Sequence, residues 1–334
     1  MNMSKWIDEL KNAPVKKPFP VLSFPGIQLL GMTVKQMVDS AENQAKCMKA
    51  IADRFDCAAT VSLMDLSVEA EAFGSNIRFS DDEVPTVIGG IIETDEDAEN
   101  LKVPAVGTAR TGECVKAISI VKDLVTDRPI LAGVIGPFSL SGRLMDMTEI
   151  MIKCLIEPEL THVVLSKATE FIIKYSIAMK EAGADGLVIA EPAAGLLSPD
   201  LCEEFSSKYV KQIVDAVQDE NFIIVYHNCG NTVPLVDSIV GICADAYHFG
   251  NAIDIGVILE KMPSNLPVLG NLSPAEHFRG GTPESVAAAT KEMLAKAEGH
   301  SNFIPSSGCD IPPLTALENI DAFFVTVKEY YTSK

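Results

Sequence analysis

The chain has 334 residues, of which 47% are hydrophobic and 22% charged, a globular composition that excludes a disordered polypeptide. At that length the prior of ~100–200 residues per domain allows two domains, and a single α/β barrel of ~250 residues is equally permitted. Lys and Arg number 27 against 46 Asp and Glu, a net charge of −19; with no basic cluster, this argues against nucleic acid or an anionic membrane surface as partner, because both are bound through counterion release.

Residues 1–25 hold no apolar run long enough for a signal peptide, and no later stretch reaches the ~20 apolar residues of a bilayer span. The expectation is a cytoplasmic protein without membrane contact. Its eight cysteines have no close, repeated spacing, so they read as thiols and not as a disulfide framework. Cys47, Cys57, Cys114, Cys154, Cys202 and Cys243 sit among apolar positions and read as core residues.

In chain order, an amphipathic segment at 33–55 precedes the first apolar run, 58–64 (AATVSLM), which ends at Asp65. Residues 74–104 break the rhythm with short β-like pieces and acidic turns. The pattern then settles. Run 130–135 leads into Gly136-Pro137, and run 186–190 into Glu191-Pro192. Run 222–226 leads into His227, run 244–249 into Gly250-Asn251, run 266–270 into Asn271, and run 302–305 into Ser306-Ser307-Gly308-Cys309. Helical segments at 113–125, 160–182, 199–217, 283–297 and 314–330 lie between or after them.

The runs are continuously apolar, as strands covered on both faces must be, and strand–helix alternation specifies a parallel sheet. An open doubly wound sheet announces itself with a Gly-rich phosphate turn, which is absent here. The expected fold is therefore α/β: a single (β/α)8 TIM-type barrel over 1–334. Residues 1–20 read as an N-terminal extension, and 74–104 as a small β-hairpin-like insertion after the first strand.

The chemistry concentrates in IIVYHNCG (223–230). Residues two apart in an extended chain point the same way, so the His227 imidazole and Cys229 thiol can reach one point. Cys309 ends the last run and shares the rim if the fold is a barrel. One imidazole and two thiolates are a zinc set with a fourth position open; the alternative is three unrelated core or rim residues. Glu191 and Asp65, each directly after a strand, are candidate catalytic carboxylates, or else rim acids at helix starts. Asn251, Asn271 and Ser307 are candidates for binding a substrate's polar head, although Asn is also a common turn residue. His248, inside an apolar run, reads as a core histidine.

DLSVEAEAFG (65–74), GPFSLSG (136–142), GADGLVIAEPAAG (183–195), YHNCGN (226–231) and SSGCDIPP (306–313) together resemble the uroporphyrinogen decarboxylase superfamily. Within it, they are most similar to the cobalamin-dependent methyltransferases that include the methylcobamide:coenzyme M enzymes. The resemblance runs from about residue 20 onward. It implies a zinc-dependent methyltransferase with Zn2+ on His227, Cys229 and Cys309, taking a methyl group from methylcobalamin on a partner corrinoid protein and giving it to a thiol such as coenzyme M. A homodimer is compatible with this reading. A tetrahydrofolate acceptor is one alternative and a uroporphyrinogen-type decarboxylase another; the family's decarboxylases carry an arginine-rich N-terminal clamp, whereas the first arginine here is Arg54. Relatives often have an acidic zinc ligand after the strand that here ends Tyr247-His248-Phe249. Gly250-Asn251 stands in its place, leaving water, Glu191 or Asp310 as the fourth ligand.

Overall fold

The computed structural model describes residues 1–333. Its strands are β1 (Thr60–Val61), β2 (Asn76–Arg78), β3 (Thr86–Ile88), β4 (Ile130–Ile135), β5 (Gly186–Ala190), β6 (Ile223–Asn228), β7 (Ala246–Phe249), β8 (Val268–Leu272) and β9 (Phe303–Ser307). β1 and β4 to β9 stand side by side in that order, every neighbouring pair parallel. All residues of β5 to β9 are buried, which is why their sequences are apolar without alternation. Val61, Leu131, Val188, Val225, Ala246, Leu269 and Ile304 fill the interior together, while a second, larger cluster lies between the sheet and the helices. The architecture is a (β/α)8 barrel.

The wall closes through irregular chain. The Phe19 N–H donates to the Pro305 carbonyl at 2.9 Å, and the Ala58 N–H donates to the Pro18 carbonyl at 2.8 Å. Val21 donates to Ser307 Oγ at 3.1 Å. Pro18 and Pro20 have no N–H to offer, so a regular ladder cannot form; the segment bridges β9 to the approach of β1 without being a strand. Below it, helix Met3–Asn12 is capped by Asn2 and sends Met3, Ile7 and Leu10 into the interior cluster. Residues 1–20 thus contribute both a bottom plug and part of the wall.

The expected insertion contains the antiparallel pair β2–β3, followed by a short helix, Asp95–Asn100, with a Thr94–Asp97 capping box. The single helix expected at 33–55 is two, Val34–Val38 and Ala41–Arg54, because Ser40 takes an extended conformation and caps the second. Helices Pro137–Met145 and Met147–Ile156 were not evident in the sequence. Cys243 corrects another expectation. It is exposed with φ 63°, in the turn between helix Val236–Val240 and β7, while the other five supposed core cysteines are buried. Among the described residues, no helix is long and apolar enough to cross a membrane.

Phe19 is 2% exposed and packs edge-on against Trp6 with ring centroids 6.0 Å apart, so it couples the plug to the wall. Phe19→Ala is expected to cost about 3–5 kcal/mol, read as a lower urea midpoint with an unchanged slope.

Candidate metal centre

Parallel strands deliver their C-terminal ends to one rim. There, one ligand atom each from His227, Cys229 and Cys309 lies within 4.8 Å of the others. His227 is the penultimate residue of β6 and is 2% exposed; Cys229 follows β6, and Cys309 follows β9. Among the described residues, the buried Nε2 of His227 has no hydrogen-bond partner, a costly state unless a ligand uses its lone pair. The Cys229 thiol is pulled down to about 4, chiefly by its hydrogen bond with Cys309 and next by His227. The same contact pushes Cys309 well up. Two sulfurs and a buried imidazole nitrogen thus face one point. That donor set suits a divalent cation.

Glycine makes the close approach feasible. A Cβ at Gly250 would lie 2.4 Å from Cys229 Cα, and one at Gly308 would lie 2.9 Å from the Asn251 nitrogen. No acidic side chain fits at 250 with Cys229 where it stands. A small cavity of about 50 Å³ opens beside the sulfurs, walled by Met64, Leu66, Ala190 and Pro192 and reached by Asp310. Among the described residues Asp310 Oδ1 is buried without a partner, and burial pushes that carboxyl well above its usual range.

The other sequence candidates lie elsewhere on the rim. Asp65 accepts from the Ser67 N–H at 3.0 Å and the Ser67 hydroxyl at 2.6 Å and forms a buried ion pair with Arg110. Arg110 also holds Glu71 at 2.6 Å. Glu191, 0% exposed, accepts from the N–H groups of Phe138 (3.0 Å) and Ser139 (2.6 Å) at the start of helix Pro137–Met145; burial pushes it up to about 7. The Asn271 amide donates to the Gly250 and Ile253 carbonyls at 3.0 and 2.8 Å. With Asn251, it borders a separate cleft of about 370 Å³. Ser307 is occupied by Val21. None of these five lines the cavity beside the sulfurs. His248, read as a core histidine, is buried as expected but lies 2.5 Å from His227, Nδ1 to Nδ1. Its signal was the matching place of the two histidines near the ends of adjacent runs, which the β6–β7 register pairs directly.

A family model described as uroporphyrinogen decarboxylase (URO-D) matches residues 26–330. The chain belongs to the uroporphyrinogen decarboxylase family. Within that family it is 30% identical over 270 residues to the methylcobamide:CoM methyltransferase MtbA of Methanosarcina acetivorans, covering 80% of this chain and 78% of that one. It is 26% identical over 295 residues to a uroporphyrinogen decarboxylase of Coxiella burnetii, covering 83% and 78%. Among solved structures, a methyltransferase from Methanosarcina mazei superposes with a TM-score of 0.86 at 27% identity, covering 99% of this chain and 98% of that one. A B12-independent methionine synthase from a Shewanella species, at 0.60 and 12% identity, shares the fold.

Two outcomes are expected for this family member. Arg110→Ala strands a buried Asp65 carboxylate and should cost about 3–5 kcal/mol in chemical denaturation. Glu69, like Glu191, is pushed up from 4.5 to about 7 by burial. Because these folded values lie above the unfolded one, their stabilisation is complete below about 4.5 and is lost as pH rises through about 7. Melting temperature should fall across that window, and Glu69→Gln, which keeps an acceptor for the Ile135 N–H at 3.0 Å, should flatten the fall.

Proposed function

We propose that this chain is a zinc-dependent methyltransferase that moves a methyl group from a methylated corrinoid, carried by a partner protein, to a small thiol such as coenzyme M. The observation that carries the reading is the convergence of His227, Cys229 and Cys309 within 4.8 Å. Its support is the 30% identity to a methylcobamide:CoM methyltransferase over 80% of the chain. These three residues would hold the zinc. Bound there, zinc supplies Lewis acidity that keeps an incoming thiol deprotonated at neutral pH.

The chain's own residues do the rest. Met64, Leu66, Ala190 and Pro192 keep the cavity apolar, which strengthens electrostatic interactions at the sulfurs. At about 50 Å³, the cavity admits the reactive end of a thiol and no macrocycle, so the corrinoid presents its methyl group from outside. In the transfer the acceptor sulfur forms the new S–CH3 bond and the cobalt–carbon bond breaks. Its electron pair stays on cobalt as cob(I)alamin, and the thiol proton goes to solvent.

The decarboxylase reading, which the family name invites, fits this rim poorly. The cavity carries no arginine among its lining residues, and Arg54 is paired with Asp321 at the end of helix Ala41–Arg54, before β1. A substrate's carboxylates would find thiols and Asp310 instead of a clamp.

The purified protein is expected to hold a single equivalent of zinc and to convert free methylcobalamin and a thiol to cob(I)alamin, followed optically. Cys309→Ala should lose the metal and more than about 100-fold in rate, beyond what losing an outer-shell partner costs. Full activity in that variant would overturn the reading.

A further inference from the structure

Behind His227 runs a buried line of groups whose protons can be assigned from acceptors that have none to give. Ser306 Oγ donates to the Phe19 carbonyl at 2.7 Å; with its one hydrogen committed, it accepts from His248 Nε2 at 2.8 Å. The Ser307 carbonyl also lies 2.8 Å from that nitrogen, and a carbonyl only accepts. His248 Nε2 therefore carries a hydrogen. His248 is 1% exposed and, among the described residues, forms no ion pair with a carboxylate. An imidazolium there would be an uncompensated buried charge. The ring is neutral, and its Nδ1 is a bare lone pair.

That lone pair faces His227 Nδ1 at 2.5 Å, so His227 must donate there. The His248 backbone carbonyl, at 3.3 Å, takes a lesser share of the same hydrogen, beyond the usual reach of about 2.7–3.2 Å. With its hydrogen on Nδ1, His227 leaves Nε2 as the ring's lone pair, the same atom that lacks a partner among the described residues.

We propose that His248 is a positioning residue that fixes His227 in its Nδ1–H tautomer, through a hydrogen-bond relay anchored on the Phe19 carbonyl of the barrel's closing segment. This rests on the metal reading above, for which a preset tautomer matters: a ligating histidine is oriented by the partner of its other nitrogen. The relay also ties the site to residues that precede β1, of which Val21 lines the cavity beside the sulfurs.

Nitrogen-15 NMR of the metal-free wild-type protein tests the tautomer directly. The expected result is a hydrogen on Nδ1 of His227 and on Nε2 of His248; a hydrogen on Nε2 of His227 overturns the proposal. His248→Leu should give mixed His227 tautomers and a zinc affinity about 10–100-fold weaker, read by competition with a coloured chelator. His248→Gln, whose amide can accept from His227 and donate to the Ser307 carbonyl, should recover most of both. A purely structural role would loosen packing without changing the tautomer, so a leucine variant with an unmixed Nδ1–H signal and wild-type affinity also overturns the proposal. If the leucine variant does not fold, the wild-type spectrum decides. A wild-type protein that binds no zinc would sink the metal reading and leave the tautomer result standing.

Discussion

The curvature of the parallel wall governs everything at the rim. β7 and β8 stand between β6 and β9; in a flat sheet, strands three steps apart are about 14 Å from one another. Cys229 and Cys309, just past the ends of β6 and β9, nevertheless place their sulfurs within 4.8 Å. Only a closed wall with all strand ends on one side brings those loops together. The stacking of Gly250 on Cys229 and of Gly308 on Asn251 supplies the last few ångströms.

Charge divides the rim into two parts with different tasks. On one side, Asp65 is paired with Arg110 and Glu191 is saturated by two backbone N–H groups. Those carboxylates are committed to holding loops and a helix start. On the other side, the imidazole nitrogen and the Asp310 oxygen are buried without partners among the described residues, beside the two sulfurs. Buried polar groups left unsatisfied are costly, and two of them, on His227 and Asp310, line the same cavity as the sulfurs.

The barrel was legible because buried strands leave uninterrupted apolar runs: six of the seven wall strands lie within or overlap their runs with only the ends displaced, and β1 is a short core of 58–64. The approach of His227 to Cys229 was legible because an HxC step at the end of a run needs only the geometry of extended chain; that Cys309 joins them follows from the shared rim. The closing segment was not legible. PFPVLS (18–23) contains prolines that veto a ladder, and its bonding depends on partners far along the chain. Nor were the partners of Asp65 and Glu191, since Arg110 and the Phe138 amide meet them only in three dimensions. His248 was legible as buried. That it faces His227 depends on the inter-strand register, which a single run of residues does not encode.

The wall's last seam carries a consequence for biosynthesis. Val21 bonds to Ser307, 286 positions away, and Phe19 bonds to Pro305. A ribosome therefore releases the first stave long before its neighbour exists. Until β9 emerges, the greasy inner surface of Phe19, Val21 and the plug helix has no permanent cover, and the nascent chain must be sheltered or tolerate a provisional arrangement through nearly its entire translation.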